Sequence, residues 1–146
     1  MCTREVTIVL VEDDPGHARL IHKNLIRSGI SNSIVTLSDG QQVVDYFLSE
    51  EAPHHAPASI LILLDLNLPV LDGYQVLLRL KQDERTRRIP VIILTTTDDP
   101  REVQRCYDLG CNVYITKPVD YESFCEAIRK LGLFLSVVTV PEENCG

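Results

Sequence analysis

Ile60-Leu61-Ile62-Leu63-Leu64-Asp65-Leu66-Asn67-Leu68-Pro69 sets five consecutive branched aliphatics ahead of a carboxylate. A run that is apolar on both faces belongs to a buried central strand of a parallel sheet, whereas a strand with one wet face alternates. Asn67, Pro69 and the pair Asp72-Gly73 follow at once and turn the chain away. Open parallel sheets carry their functional groups just beyond the carboxyl ends of their strands. Asp65 therefore stands where chemistry is expected.

Working outward, the same strand-then-helix unit recurs. Val6–Val11 is a β-branched run ending in Glu12, Asp13 and Asp14. Asp14-Pro15 is a helix start, with Asp as cap and Pro at the first helical position. Ala18, Ile21 and Leu25 share one face with Ile26 beside them, and Gly29 ends the helix. Ile34–Leu37 is a second strand, stopped by Asp39-Gly40, and Val43, Val44, Phe47 and Leu48 mark a second helix. Residues 50–59 hold two prolines and His54-His55 and read as a loop of solvated histidines.

Beyond the opening strand, Asp72-Gly73 begins a third helix with Val76, Leu77 and Leu80 inward. Arg85–Arg88 is a solvated basic link to a fourth strand, Val91–Thr95. Asp99-Pro100-Arg101-Glu102 repeats the first helix start, with Glu102 placed to complete a capping box. That helix runs to Leu109-Gly110. Val113-Tyr114-Ile115 is a fifth strand leading into Lys117-Pro118, and Phe124, Ile128, Leu131 and Leu135 are the stripe of a fifth helix. The fold class is α/β: a doubly wound, five-stranded parallel sheet of order 2-1-3-4-5 with five helices. Residues 1–133 form the domain and 134–146 a tail, whose Val137–Val140 and Pro141 read as an extended segment packing on something.

A chain of 146 residues suits one domain, and 45% hydrophobic residues supply an ordinary core. A net charge of -7 argues against non-specific nucleic-acid binding and adhesion to anionic membranes. The chain shows neither a membrane-length apolar run nor a signal-peptide pattern, so a cytoplasmic location is expected. The five cysteines are odd in number and lack a CxxC pair, which reads as small hydrophobes in a reducing compartment.

In the 2-1-3-4-5 order the first and third strands adjoin, so Glu12 and Asp13 face Asp65. Three crowded carboxylates raise one another's pKa unless a cation joins them. Oxygen ligands without His or Cys suit Mg2+ and disfavour zinc. Thr95 adds a hydroxyl from the fourth strand end and Lys117 a mobile cation from the fifth. A carboxylate nucleophile, a divalent metal, a hydroxyl and an ammonium are what phosphoryl transfer requires. Asp14, beside Pro15, reads as a cap rather than a ligand.

Glu12-Asp13 after the first strand, Asp65 with Asn67, Pro69 and Asp72-Gly73 after the third, Thr95-Thr96 after the fourth and Lys117-Pro118 after the fifth, taken together in register, resemble the receiver domain of two-component response regulators, a flavodoxin-like fold, over residues 6 to 133. The resemblance implies that Asp65 accepts a phosphoryl group from a sensor histidine kinase. It further implies that Asp13, Asp65 and the Asn67 carbonyl bind Mg2+, for which Mn2+ can substitute, with Glu12 acting through water. Lys117 would hold the phosphoryl oxygens, Thr95 would move toward them, and Tyr114 would swing in behind. Thr96 fills a slot where receivers prefer a smaller residue. The chain is then a switch assisting its own phosphorylation and dephosphorylation, not an enzyme with an external product.

The Pro-containing loop before the third strand, the run Leu63-Leu64-Asp65-Leu66-Asn67-Leu68-Pro69, the tandem Thr95-Thr96 and the tail Phe134–Pro141 carry a narrower resemblance, to the single-domain regulators paired with cyanobacterial phytochromes, which implies a phytochrome kinase as partner and no DNA-binding output. It also implies a homodimer through helix 4, strand 5, helix 5 and the tail. Leu133, Phe134, Leu135 and Val137 carry that expectation, since apolar residues cover most of helix 5; the tail folding back is the alternative. A haloacid-dehalogenase-like phosphatase would need Asp where Asn67 stands. A flavodoxin-like nucleotide binder would need a Gly- or Ser/Thr-rich phosphate loop where Glu12-Asp13-Asp14 would repel phosphate. A receiver-like module that has lost phosphorylation conflicts with the full set Glu12, Asp13, Asp65, Thr95 and Lys117.

Overall fold

The structure, a computed structural model, describes residues 3–4, 7–27, 29, 32–49, 60–96, 99–117, 122–123, 126, 129–130 and 140–141. Five strands form one sheet: β1 (Thr7–Val11), β2 (Ile34–Leu37), β3 (Ile60–Leu64), β4 (Val91–Thr95) and β5 (Val113–Thr116). Four helices intervene: α1 (Pro15–Arg27), α2 (Gly40–Phe47), α3 (Gly73–Gln82) and α4 (Pro100–Leu109). All pairings in this sheet are parallel, in the order β2-β1-β3-β4-β5. The expected topology is the one observed.

Alternation along the central strands sorts the core into two layers. Ile8, Leu10, Leu63, Ile92 and Leu94 point to one face, where Ala18, Ile21 and Leu25 of α1 cover them. Val9, Val11, Ile62, Leu64, Val91 and Ile93 point to the other, against Val43 and Phe47 of α2, Val76, Leu77 and Leu80 of α3, and Cys106 of α4. Each such side chain contributes roughly 1.5–3 kcal/mol by leaving water. This packing fixes the strand ends, which a site built from four of them needs.

Helix starts follow the sequence with one exchange. Asp39 caps α2 through the Gln42 amide, Asp99 caps α4 through the Arg101 amide, and Asp14 accepts from the amides of Gly16 and His17. The reciprocal capping box forms on α3, between Asp72 and Gln75, rather than on α4. Glu102 is instead engaged by the Tyr74 hydroxyl of α3, a long-range contact that no local pattern announces. Ile26 is 48% exposed, whereas Asn24 is buried and returns its amide to the Leu20 carbonyl. Arg85 is more than a solvated charge: its guanidinium holds Asp83 and the carbonyls of Leu48 and Ser49, tying the ends of α3 and α2.

Four helices, not five, are complete among the described residues. Glu122, Ser123, Glu126, Arg129 and Lys130 are helical and exposed, but the stripe Phe124, Ile128, Leu131 and Leu135 lies outside those residues. Leu133, Phe134 and Val137 lie outside them too, as do Pro118 and the loop carrying His54-His55. The backbone of Val140–Pro141 pairs antiparallel with Thr3–Arg4, so this part of the tail meets its own chain's N-terminal segment. Among the described residues no helix is long and apolar enough to cross a membrane.

Candidate functional site: an acidic crevice at the strand ends

Register assembles the site. Val11 pairs with Leu64, so Glu12 and Asp65 leave β1 and β3 at one level. Thr95 pairs with Thr116, so Lys117 leaves β5 beside the end of β4. Backbone bonds extend the ladders one step further: the Glu12 amide donates to the Leu37 carbonyl, the Asp65 amide to the Val11 carbonyl, and the Lys117 amide to the Thr95 carbonyl. The functional side chains therefore stand on sheet geometry, not on loose loops.

The turn after Asp65 is equally constrained. The Asn67 amide donates to Asp65 Oδ1 at 3.0 Å, and the Gly73 amide donates to the Leu66 carbonyl at 2.9 Å. Gly73 packs so closely beneath the turn that a Cβ there would lie 2.5 Å from Leu66 Cα and 2.6 Å from the Asp65 carbonyl oxygen. Val70, at the outer bend, has φ +69° and is 75% exposed. A β-branched residue in the left-handed region is strained.

Glu12, Asp65 and Lys117 are 2%, 7% and 5% exposed, and Asp13 lies exposed at the rim. Lys117 Nζ donates to Glu12 Oε1 at 2.7 Å and to Asp65 Oδ2 at 3.1 Å. One ammonium thus serves two buried carboxylates. Burial first, then the neighbouring Asp65 carboxylate, push Glu12 up to about 8 against the pull of Lys117. Burial also works to raise Asp65, but the Glu12 carboxyl, the Asn67 amide and Lys117 outweigh it and hold Asp65 below the ordinary carboxylate value.

Two buried polar atoms of the described residues lack a hydrogen-bond partner: Glu12 Oε2 and Thr95 Oγ1. Such groups cost free energy and mark places where something else is to bind. Carboxylate oxygens of Glu12, Asp13 and Asp65 lie within 4.8 Å of one another. An all-oxygen, multiply anionic donor set with an orphaned oxygen fits a hard divalent cation such as Mg2+ or Mn2+.

The remaining candidates are more dispersed. Thr95 is fully buried, while Thr96 is exposed beyond it. Asn67 is exposed at the turn, and only its amide contact to Asp65 ties it to the crevice. Tyr114 is half-buried on β5 against the α2–α4 layer, its amide donating to the Tyr107 hydroxyl at 3.2 Å. His17 was not singled out by the sequence, yet its Nδ1 lies 3.1 Å from Glu12 Oε1. The available signal was Pro15 at the start of α1, which fixes His17 in the first turn, beside the acidic strand end.

The family model for the response regulator receiver domain matches residues 8–129. A receiver-domain crystal structure from Rhodospirillum rubrum superposes with a TM-score of 0.85 at 53% identity, covering 94% of this chain and 98% of that one. The response regulator Rcp1 of Synechocystis sp. is 36% identical over 135 residues, 92% of either chain. Its Mn(2+)-bound form superposes with a TM-score of 0.81 at 34% identity, covering 94% and 99% of the two chains. The phosphorylated cyanobacterial phytochrome response regulator RcpA gives 0.79 at 34% identity, with the same coverage. Receiver domains hold Mg2+ or Mn2+ in an acidic pocket of the kind formed by Glu12, Asp13 and Asp65. Since the match spans the crevice residues from Glu12 to Lys117, the chain belongs to the response regulator receiver domain family.

Proposed function

We propose that this receiver domain is a phosphorylation switch whose acceptor is Asp65. The observation that carries the reading is the placement of Lys117 Nζ within hydrogen-bond reach of both Glu12 and Asp65. A carboxylate kept ionised beside a movable ammonium is a nucleophile with its charge neutraliser at hand. An Asp65 carboxylate oxygen attacks the phosphorus of a phosphohistidine on a sensor histidine kinase. The P–N bond breaks, the imidazole leaves with a proton from solvent, and an aspartyl phosphate forms.

Lys117 then turns from the carboxylates to the new phosphoryl oxygens. The unpartnered Thr95 hydroxyl donates to one of them, and Tyr114 follows into the space behind, altering the α4–β5 face. Thr96, exposed at the mouth, limits access to the phosphate. Mg2+ or Mn2+, held by Asp13, Asp65 and the Asn67 carbonyl with Glu12 acting through water, supplies further neutralisation of phosphoryl charge when bound. The chain's own contribution is positioning and electrostatics, so it acts as a switch rather than on an external substrate.

The likeness to RcpA, a cyanobacterial phytochrome response regulator, supports a phytochrome-type light sensor as the kinase. Exposed Tyr107 and Val113 on α4 and β5 support a homodimer through that side, with helix 5 and the tail residues Leu133, Phe134, Leu135 and Val137. The test of the acceptor is acid-labile 32P incorporation from acetyl phosphate with Mg2+. Label that survives Asp65→Asn would overturn the assignment. Sedimentation with and without acetyl phosphate tests the dimer, which fails if the chain is monomeric at tens of micromolar in both states.

A further inference from the structure

Lys117 has two obligations that conflict. In the resting site it is a cation for Glu12, which is buried. On phosphorylation, by the reading above, it moves to the phosphoryl oxygens. Glu12 would then lose its strongest partner while buried, a costly arrangement unless a second donor stays behind.

That donor is present. His17 Nδ1 lies 3.1 Å from Glu12 Oε1, the same oxygen that accepts from Lys117. An oxygen already accepting from an ammonium is an acceptor toward the imidazole also, so Nδ1 carries the hydrogen. With both donors on Oε1, the buried Oε2 is the atom of Glu12 left for a further ligand. The His17 side chain is 47% exposed and is carried by α1, whereas Lys117 leaves the end of β5, so the two donors stand on separate elements. Its backbone is pinned independently, because the His17 amide donates to Asp14 Oδ1 at 3.1 Å.

We propose that His17 is a positioning residue for the metal site: it holds Glu12 by Oε1 so that Oε2 stays turned to the cation's coordination sphere, including after Lys117 has left. This rests on the reading of the crevice as a divalent-metal site. Partners that orient a metal-site group are worth roughly ten- to a hundredfold in affinity. Half-exposure of the imidazole puts His17 at about the tenfold end of that range.

The experiment is calorimetric titration of Mg2+, and separately Mn2+, into the wild type, His17→Ala and His17→Asn. Asn carries an N–H at the position of Nδ1, and both variants keep the backbone amide that Asp14 caps. The expected result is about tenfold weaker binding of both ions by His17→Ala, with recovery in His17→Asn. Phosphorylation by acetyl phosphate is followed against Mg2+ concentration. The half-saturating concentration rises about tenfold in His17→Ala, with the plateau rate retained. Circular dichroism melts without metal confirm that both variants fold. Unchanged affinity in His17→Ala, or no recovery in His17→Asn, would overturn the role of His17. If the wild type binds neither ion, the metal-site reading itself falls, and the inference with it.

Discussion

Lys117 reaches back to Glu12 across 105 positions of sequence, its Nζ 2.7 Å from Oε1, and both side chains are buried. The same ammonium serves Asp65. Replacing it by Met leaves two buried carboxylates without their cation, a loss of about 3 kcal/mol in metal-free buffer. A divalent ion supplies the missing charge, so Mg2+ recovers part of the loss. Urea denaturation of Lys117→Met with and without Mg2+ measures both, and equal midpoints for the variant and wild type without metal would contradict the argument.

Gly73 is set by the turn that aims Asp65. The atoms a Cβ would meet, Leu66 Cα and the Asp65 carbonyl oxygen, are backbone and cannot rotate aside. Gly73→Ala must displace the segment that carries Asp65. The expected cost is about 2 kcal/mol, together with reduced 32P incorporation from acetyl phosphate at saturating Mg2+. Stability loss without any change in labelling would show that the turn relaxes away from Asp65 and not into it.

The parts of this site visible in the sequence are those that depend on strand ends. Buried runs announce central strands by having no polar face, and the residue after each run is fixed by strand length alone. Glu12, Asp65, Thr95 and Lys117 were therefore legible, and parallel pairing then sets them side by side. Contacts decided by helix rotation were not. His17 meets Glu12 because α1 starts at Pro15, and Glu102 meets Tyr74 because α3 and α4 pack together. The capping-box pattern at Asp99 failed for that reason: a tertiary partner took the Glu102 side chain.

Val70 offers a gain rather than a loss. At φ +69° its branched Cβ is strained, and being mostly exposed it recovers little by burial. Asn tolerates the left-handed region without the added chain entropy of Gly. Val70→Asn is expected to stabilise by about 1 kcal/mol, raising Tm by roughly 3 °C. A melting temperature at or below the wild type's would show that the strain is offset by contacts of the valine methyls.

Cys106 gives the fold a pH dependence that is separate from the acidic crevice. Burial, then Cys111 and Glu102 nearby, push its thiol up to about 11 from an ordinary 9, against the pull of Arg105. Burial likewise raises Cys111. The folded state favours the neutral thiol, so the stabilising contribution is complete below pH 9. It is lost as pH rises from there through the folded value near 11. Two measurements follow. Iodoacetamide at pH 8 leaves Cys106 and Cys111 unmodified in the native protein and labels both in urea, as read by peptide mass mapping. The urea midpoint of the wild type falls between pH 9 and 11, while that of Cys106→Ala, lower throughout because a buried side chain is lost, falls less steeply. The difference between the two slopes is the diagnostic quantity. Parallel curves would show that the Cys106 proton is not linked to folding.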